Sequence, residues 1–132
     1  MEWEGSDFER EALFYKDKDK AISFLERLSA DVYYDRENFV EAKKLYQKSL
    51  EHNPQNGDSW LGLGLIDILE ENEKKGIDEC LKAGEINKSH YFGDIGVAFY
   101  ERGELDKAKE WLEKDFAEKN TAKTAYNLGI IA

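Results

Sequence analysis

Two histidines, one cysteine and a Gly-X-Gly step are the residues of this 132-residue chain whose types invite a chemical role. His52 and His90 lie far apart, and neither has a Cys or carboxylate at metal-ligand spacing, so both are expected to be ordinary surface residues. Cys80 falls four residues after Gly76 on one helical face, a setting that predicts a small, inert, buried thiol. Gly62-Leu63-Gly64 lacks both a preceding strand and a following Gly-Lys-Ser/Thr, which rules out a phosphate-cradling loop. Carboxylates are plentiful but recur with lysine at i,i+4 spacing, as in Glu110 with Lys114, the pattern of a solvated helix face. No catalytic, metal or cofactor constellation emerges, and the chain is expected not to be an enzyme.

The elements that position these residues follow from composition. One proline among many Glu, Lys, Leu and Ala leaves long stretches free to run as helix, and no alternating strand segment closed by Asn-Gly or Asp-Gly is present. The expectation is all-α. With 19 Lys+Arg against 29 Asp+Glu, the formal charge is −10, which disfavours nucleic acid and anionic membranes as partners. A single cysteine gives no internal disulfide, Met1–Ser6 carries no basic leader, and no apolar run approaches about 18 residues. The chain is read as soluble and cytoplasmic.

The helices repeat. Ala42, Gly76 and Ala108 each precede by four residues a larger apolar side chain, Tyr46, Cys80 and Leu112. Upstream lie Trp60-Leu61-Gly62-Leu63-Gly64 and Phe92-Gly93-Asp94-Ile95-Gly96, and Ala125-Tyr126-Asn127-Leu128-Gly129 follows. Ala42 to Gly76 is 34 positions and Gly76 to Ala108 is 32; Gly64 to Gly96 is 32 and Gly96 to Gly129 is 33. On these residues the chain resembles the tetratricopeptide repeat, a helix–turn–helix unit of about 34 residues. The resemblance implies a right-handed superhelical stack of antiparallel helix pairs. Its repeats are residues 23–56, 57–88 and 89–121, with a partial unit at 122–132, and residues 1–22 form an N-terminal segment with a short capping helix near Phe8–Tyr15. Lys16–Lys20 reads as a solvated turn, and Asn38, Asn72 and Gly103 fall at the turns inside the three units, where a left-handed residue is needed.

Within such a stack the first helix of each unit lines a concave groove. Carried onto this sequence, the groove positions include Arg27, Asp31, Tyr34, Asp58, Leu61, Leu65, Ile68, His90, Val97, Tyr100, Glu101 and Tyr126. Leu61, Leu65 and Leu69 form an i,i+4 row opposite Trp60, Leu63 and Gly64, so one helix is apolar on two sides. The resemblance therefore implies a protein–protein adaptor whose ligand is a protein or peptide with apolar anchors and neutral or basic character. The alternative is a structural or regulatory segment of a longer protein whose groove is filled from within. Family members that hold acidic chaperone tails use a clamp of Lys, Asn and Arg. Here its positions carry Arg27, Asp31, Gly62, His90 and Asp94, and two of these are acids that would repel a carboxylate. The chain stops at Ile130-Ile131-Ala132 without a covering helix, which predicts a fragment or self-association through that end.

Overall fold

The structure is a computed structural model that describes residues 17–119, which form six helices and no strand. They are α1 (Lys18–Asp35), α2 (Phe39–His52), α3 (Gly57–Leu69), α4 (Glu73–Asn87), α5 (Phe92–Glu101) and α6 (Leu105–Lys119). The chain divides into two compact units, Met1–Asn56 and Gly57–Ala132. In the first, α1 packs on α2; in the second, α3 packs on α4, α5 on α6, and α3 on α5.

Small residues let the helices of each pair meet. Ala30 and Ala42 are both fully buried between α1 and α2. In the second unit a Cβ added to Gly64 would lie 2.6 Å from Cys80 Sγ and 2.7 Å from the Gly76 carbonyl oxygen, and one added to Gly76 would lie 2.6 Å from that of Gly64. Backbone therefore touches backbone across α3 and α4, and Ile68, Cys80, Ile95 and Phe99 close over the junctions with Ala98 and Ala108 as one core. The first unit adds a polar clasp. Ser23 Oγ donates to the Ser49 carbonyl at 2.7 Å, Ser49 Oγ donates to the Ser23 carbonyl at 2.8 Å, and Asn56 Nδ2 donates to both hydroxyl oxygens. Both serines are fully buried, so this exchange satisfies groups that burial alone would penalise.

The turn inside each pair has one geometry used three times. Asn38, Asn72 and Glu104 each donate a backbone N–H to the carbonyl five residues back, on Tyr33, Asp67 and Phe99. The residue just before adopts a left-handed conformation: Glu37 at φ 59°, Glu71 at 69° and Gly103 at 82°. This corrects the sequence expectation, which put Asn38 and Asn72 in that role. They sit one position later with negative φ, and Asn38 instead caps α2 by accepting from the Glu41 N–H. Gly103 is the one turn residue without a Cβ, and the two glutamates carry the steric cost.

Helix α1 also begins earlier than expected. Lys18, Asp19 and Lys20 are its first turn, not a loop. Its face away from α2 is apolar and open to solvent at Phe24, Leu25, Leu28 and Val32. The helix expected at Phe8–Tyr15, the partial unit at 122–132 with Tyr126, and the C-terminal Ile130 and Ile131 lie outside the described residues.

Candidate interaction groove

The arrangement of α3 and α5 defines a surface. Arg102, just past α5, donates to the carbonyl oxygen of Ile68 in the last turn of α3 at 3.1 Å, so the two helices end on the same side and run parallel. Along α3 Asp58 is exposed and Trp60, Leu61, Leu65 and Leu69 are part-covered, the three leucines resting with one side on the core. Along α5 Asp94, Tyr100 and Glu101 are exposed, Tyr100 by 42%, and Phe92, Gly93 and Val97 are part-covered. Val97 falls 32 residues after Leu65, the same place in the next unit. Of the sequence-predicted groove residues, Asp58, Leu61 and Leu65 thus lie at part-covered or exposed positions of α3, and Val97, Tyr100 and Glu101 at such positions of the α5 helix packed beside it.

Ile68 does not belong to it. The sequence reading placed it on the groove, yet it is fully buried with Ile95 and Phe99, because its helical position points at α5 instead of solvent. His90 stands at the edge, stacked on Phe92 at 5.0 Å between ring centres and 3.7 Å from the Glu118 carboxylate.

Arg27, Asp31 and Tyr34 belong to the first unit. Arg27 Nη1 meets Asp31 Oδ2 at 2.9 Å, its guanidinium lies 5.1 Å from the Phe24 ring centre, and the Tyr46 hydroxyl donates to the other Asp31 oxygen. Burial, reinforced by that carboxylate, pushes the Tyr46 phenol up, so it stays a proton donor. Tyr34 packs edge-on against Phe39 at 5.5 Å. Arg27 and Asp31 thus form an ion pair within α1.

Two contacts between successive helix pairs of the second unit were not legible in the motifs. Arg102 is 12% exposed and, besides the Ile68 carbonyl, stands within 3.8 Å of Glu71, Glu73 and Glu104 carboxylates. Lys107 Nζ binds both oxygens of Glu73 at 2.9 and 2.7 Å, and this hydrogen bond is the main reason the Glu73 carboxyl is held below its ordinary range. The Arg102–Ile68 and Lys107–Glu73 contacts each span 34 residues, one repeat length; the second is a charge pair that a search at the repeat period would have found, whereas the first, to a backbone carbonyl, is not.

A cavity of about 480 Å³ lies between α4 and the turn before α5, lined by Cys80, Leu81, Gly84, Tyr91 and Phe92, and shares only His90 with the groove residues. Cys80 is 1% exposed and burial pushes its thiol well up, so it is held as thiol, a poor nucleophile. Among the described residues there is no group of three or more His, Cys, Asp or Glu able to hold a metal, and no helix is long and apolar enough to cross a membrane.

No family model and no curated protein sequence matches the chain. Solved structures do. The N-terminal domain of stress-induced protein-1 (STI-1) from C. elegans superposes with a TM-score of 0.62 at 18% identity, covering 86% of this chain and 96% of that one. The first TPR of Spaghetti (RPAP3), solved bound to the HSP90 peptide SRMEEVD, superposes with a TM-score of 0.65 at 17% identity, covering 85% and 91%. The chain has the tetratricopeptide-repeat fold. In this TPR fold α1 with α2, α3 with α4, and α5 with α6 are the helix pairs, and α3 and α5 are the first helices of consecutive units.

Proposed function

We propose that this protein is a non-enzymatic, cytoplasmic interaction module that holds a peptide or helix of a partner protein by apolar anchors across the exposed faces of α3 and α5. The observation that supports this reading is the row of half-covered leucines, Leu61, Leu65 and Leu69, on α3, together with half-covered Val97 and exposed Tyr100 on the α5 helix packed against it. Large apolar side chains left open side by side mark interaction surfaces, and a row at helical spacing suits the alternate side chains of a bound segment.

The reading excludes a carboxylate-terminated tail as the ligand, unlike the HSP90 peptide bound by the RPAP3 domain. Arg27, the one clamp position with a suitable cation, is already joined to Asp31 at 2.9 Å. Gly62 offers no side chain, and Asp94 adds an exposed negative charge where the clamp has a positive one. A peptide ending in Glu-Glu-Val-Asp that bound with micromolar affinity in calorimetry would overturn this part.

The groove itself is tested by selecting binders from a displayed random-peptide library and measuring the best one against Leu65→Asp and Tyr100→Asp. Both variants are expected to bind at least about tenfold more weakly, the effect of losing roughly 1.4 kcal/mol. Tyr100 is the cleaner position because it lies outside the core, so its variant keeps the wild-type unfolding curve. Undiminished binding by both variants would contradict the proposal.

A further inference from the structure

Charge is sorted by helix in the second unit. Helices α3 and α5 contain no Lys or Arg, while their exposed ionisable side chains are Asp58, Asp94 and Glu101, all acids. Among the described residues the helical cations of that unit are on α4 and α6, at Lys74, Lys75, Lys82, Lys107, Lys109, Lys114 and Lys119. Arg102 is the nearest cation to the end of α5, and it is occupied by the Ile68 carbonyl and three glutamates. The exposed formal charges carried by the two helices of the apolar strip are therefore all of one sign.

The C-terminal end of α5 adds to this negative charge. Its carbonyl terminus places a negative dipole end beside Glu101, whereas the end of α3 is covered by Arg102, which donates to the Ile68 carbonyl and pairs with Glu71. Tyr100 and Glu101 are adjacent there and both exposed, and among the described residues neither side chain has a hydrogen-bonding or ionic partner. An aromatic face beside a free carboxylate is a seat for an ammonium or guanidinium group.

We propose that the partner segment is cationic, with a Lys or Arg seated on Tyr100 and Glu101 and its apolar neighbours on Leu65 and Val97. The inference rests on the groove reading above and adds the ligand's charge and its polarity along the strip. Steering by the acidic rim sets which segments are admitted, and the leucines hold them.

The experiment uses the displayed random-peptide library and calorimetry of the most enriched peptide. Enriched sequences are expected to carry Lys or Arg within one helical turn of a large apolar residue. Replacing that cation by Gln is expected to weaken binding about tenfold, as is Glu101→Lys, while the same charge change at Glu113→Lys on α6 leaves affinity within about twofold. Enriched peptides that are neutral or acidic, yet lose affinity with Leu65→Asp and Tyr100→Asp, would overturn the cationic ligand and leave the groove standing. Peptides indifferent to both of those variants, or no enrichment at all, would overturn the groove and this inference together.

Discussion

Arg102 caps the carbonyl of Ile68 one full repeat earlier in the chain, at 3.1 Å, and by doing so ties the end of one helix pair to the next. The guanidinium is almost covered, and its ring neighbour Phe99 is fully buried 5.6 Å away. Arg102→Ala is expected to lower stability by about 1–3 kcal/mol, the usual loss when a hydrogen bond to a charged group is removed from a covered site. Urea unfolding followed by circular dichroism measures it. A loss below about 0.5 kcal/mol would show that the contact is a surface ornament.

Gly64→Ala is expected to be as damaging for a different reason. The new methyl would press on Cys80 Sγ, the Gly76 carbonyl and the Cys80 N–H group, two of which are backbone atoms that have no rotamer to change. Overpacking of this kind costs about 1–3 kcal/mol. At Gly103 nothing lies within 4 Å of an added Cβ, so Gly103→Ala carries only the strain of its positive φ, about 1–2 kcal/mol. Thermal unfolding of the two variants compares a clash with a strain.

Glu37→Gly is expected to stabilise by up to about 1 kcal/mol, because Glu37 holds the left-handed conformation with a Cβ in place. The gain is reduced by the greater freedom of glycine in the unfolded chain. A shift of the unfolding midpoint to lower urea would contradict it.

These turns show what the sequence disclosed and what it did not. The repeat period and the small residues at Ala42, Gly64, Gly76, Gly96 and Ala108 were legible because close helix approach admits few residue types. The left-handed positions were not, since Glu37 and Glu71 are tolerated there only because the flanking hydrogen bonds fix the turn. The leucine row was legible from its i,i+4 spacing. Ile68 was misplaced because position on a helix decides exposure only once the next helix is in place, and α5 covers it. Arg102 and Glu73 were missed because their partners are a repeat away.

His52 ties α2 to α1 through its Nδ1, 2.7 Å from Glu26 Oε1, and that hydrogen bond raises its pKa above the ordinary 6.5. The folded value is the higher one. The contribution to stability is therefore complete below the unfolded pKa and is lost as pH rises through the folded one. An NMR titration of the ring is expected to give a midpoint above 6.5 that falls back in Glu26→Gln. An unchanged midpoint in that variant would remove Glu26 as the cause.

The central claim, that the exposed faces of α3 and α5 are the ligand surface, is tested most directly by amide NMR during titration with the enriched peptide. The largest shift changes are expected at Leu61, Leu65, Val97, Tyr100 and Glu101, with α4 and the outer face of α6 nearly silent. Changes centred on Leu81, Lys82 and Lys109 instead, with those five residues unmoved, would contradict it.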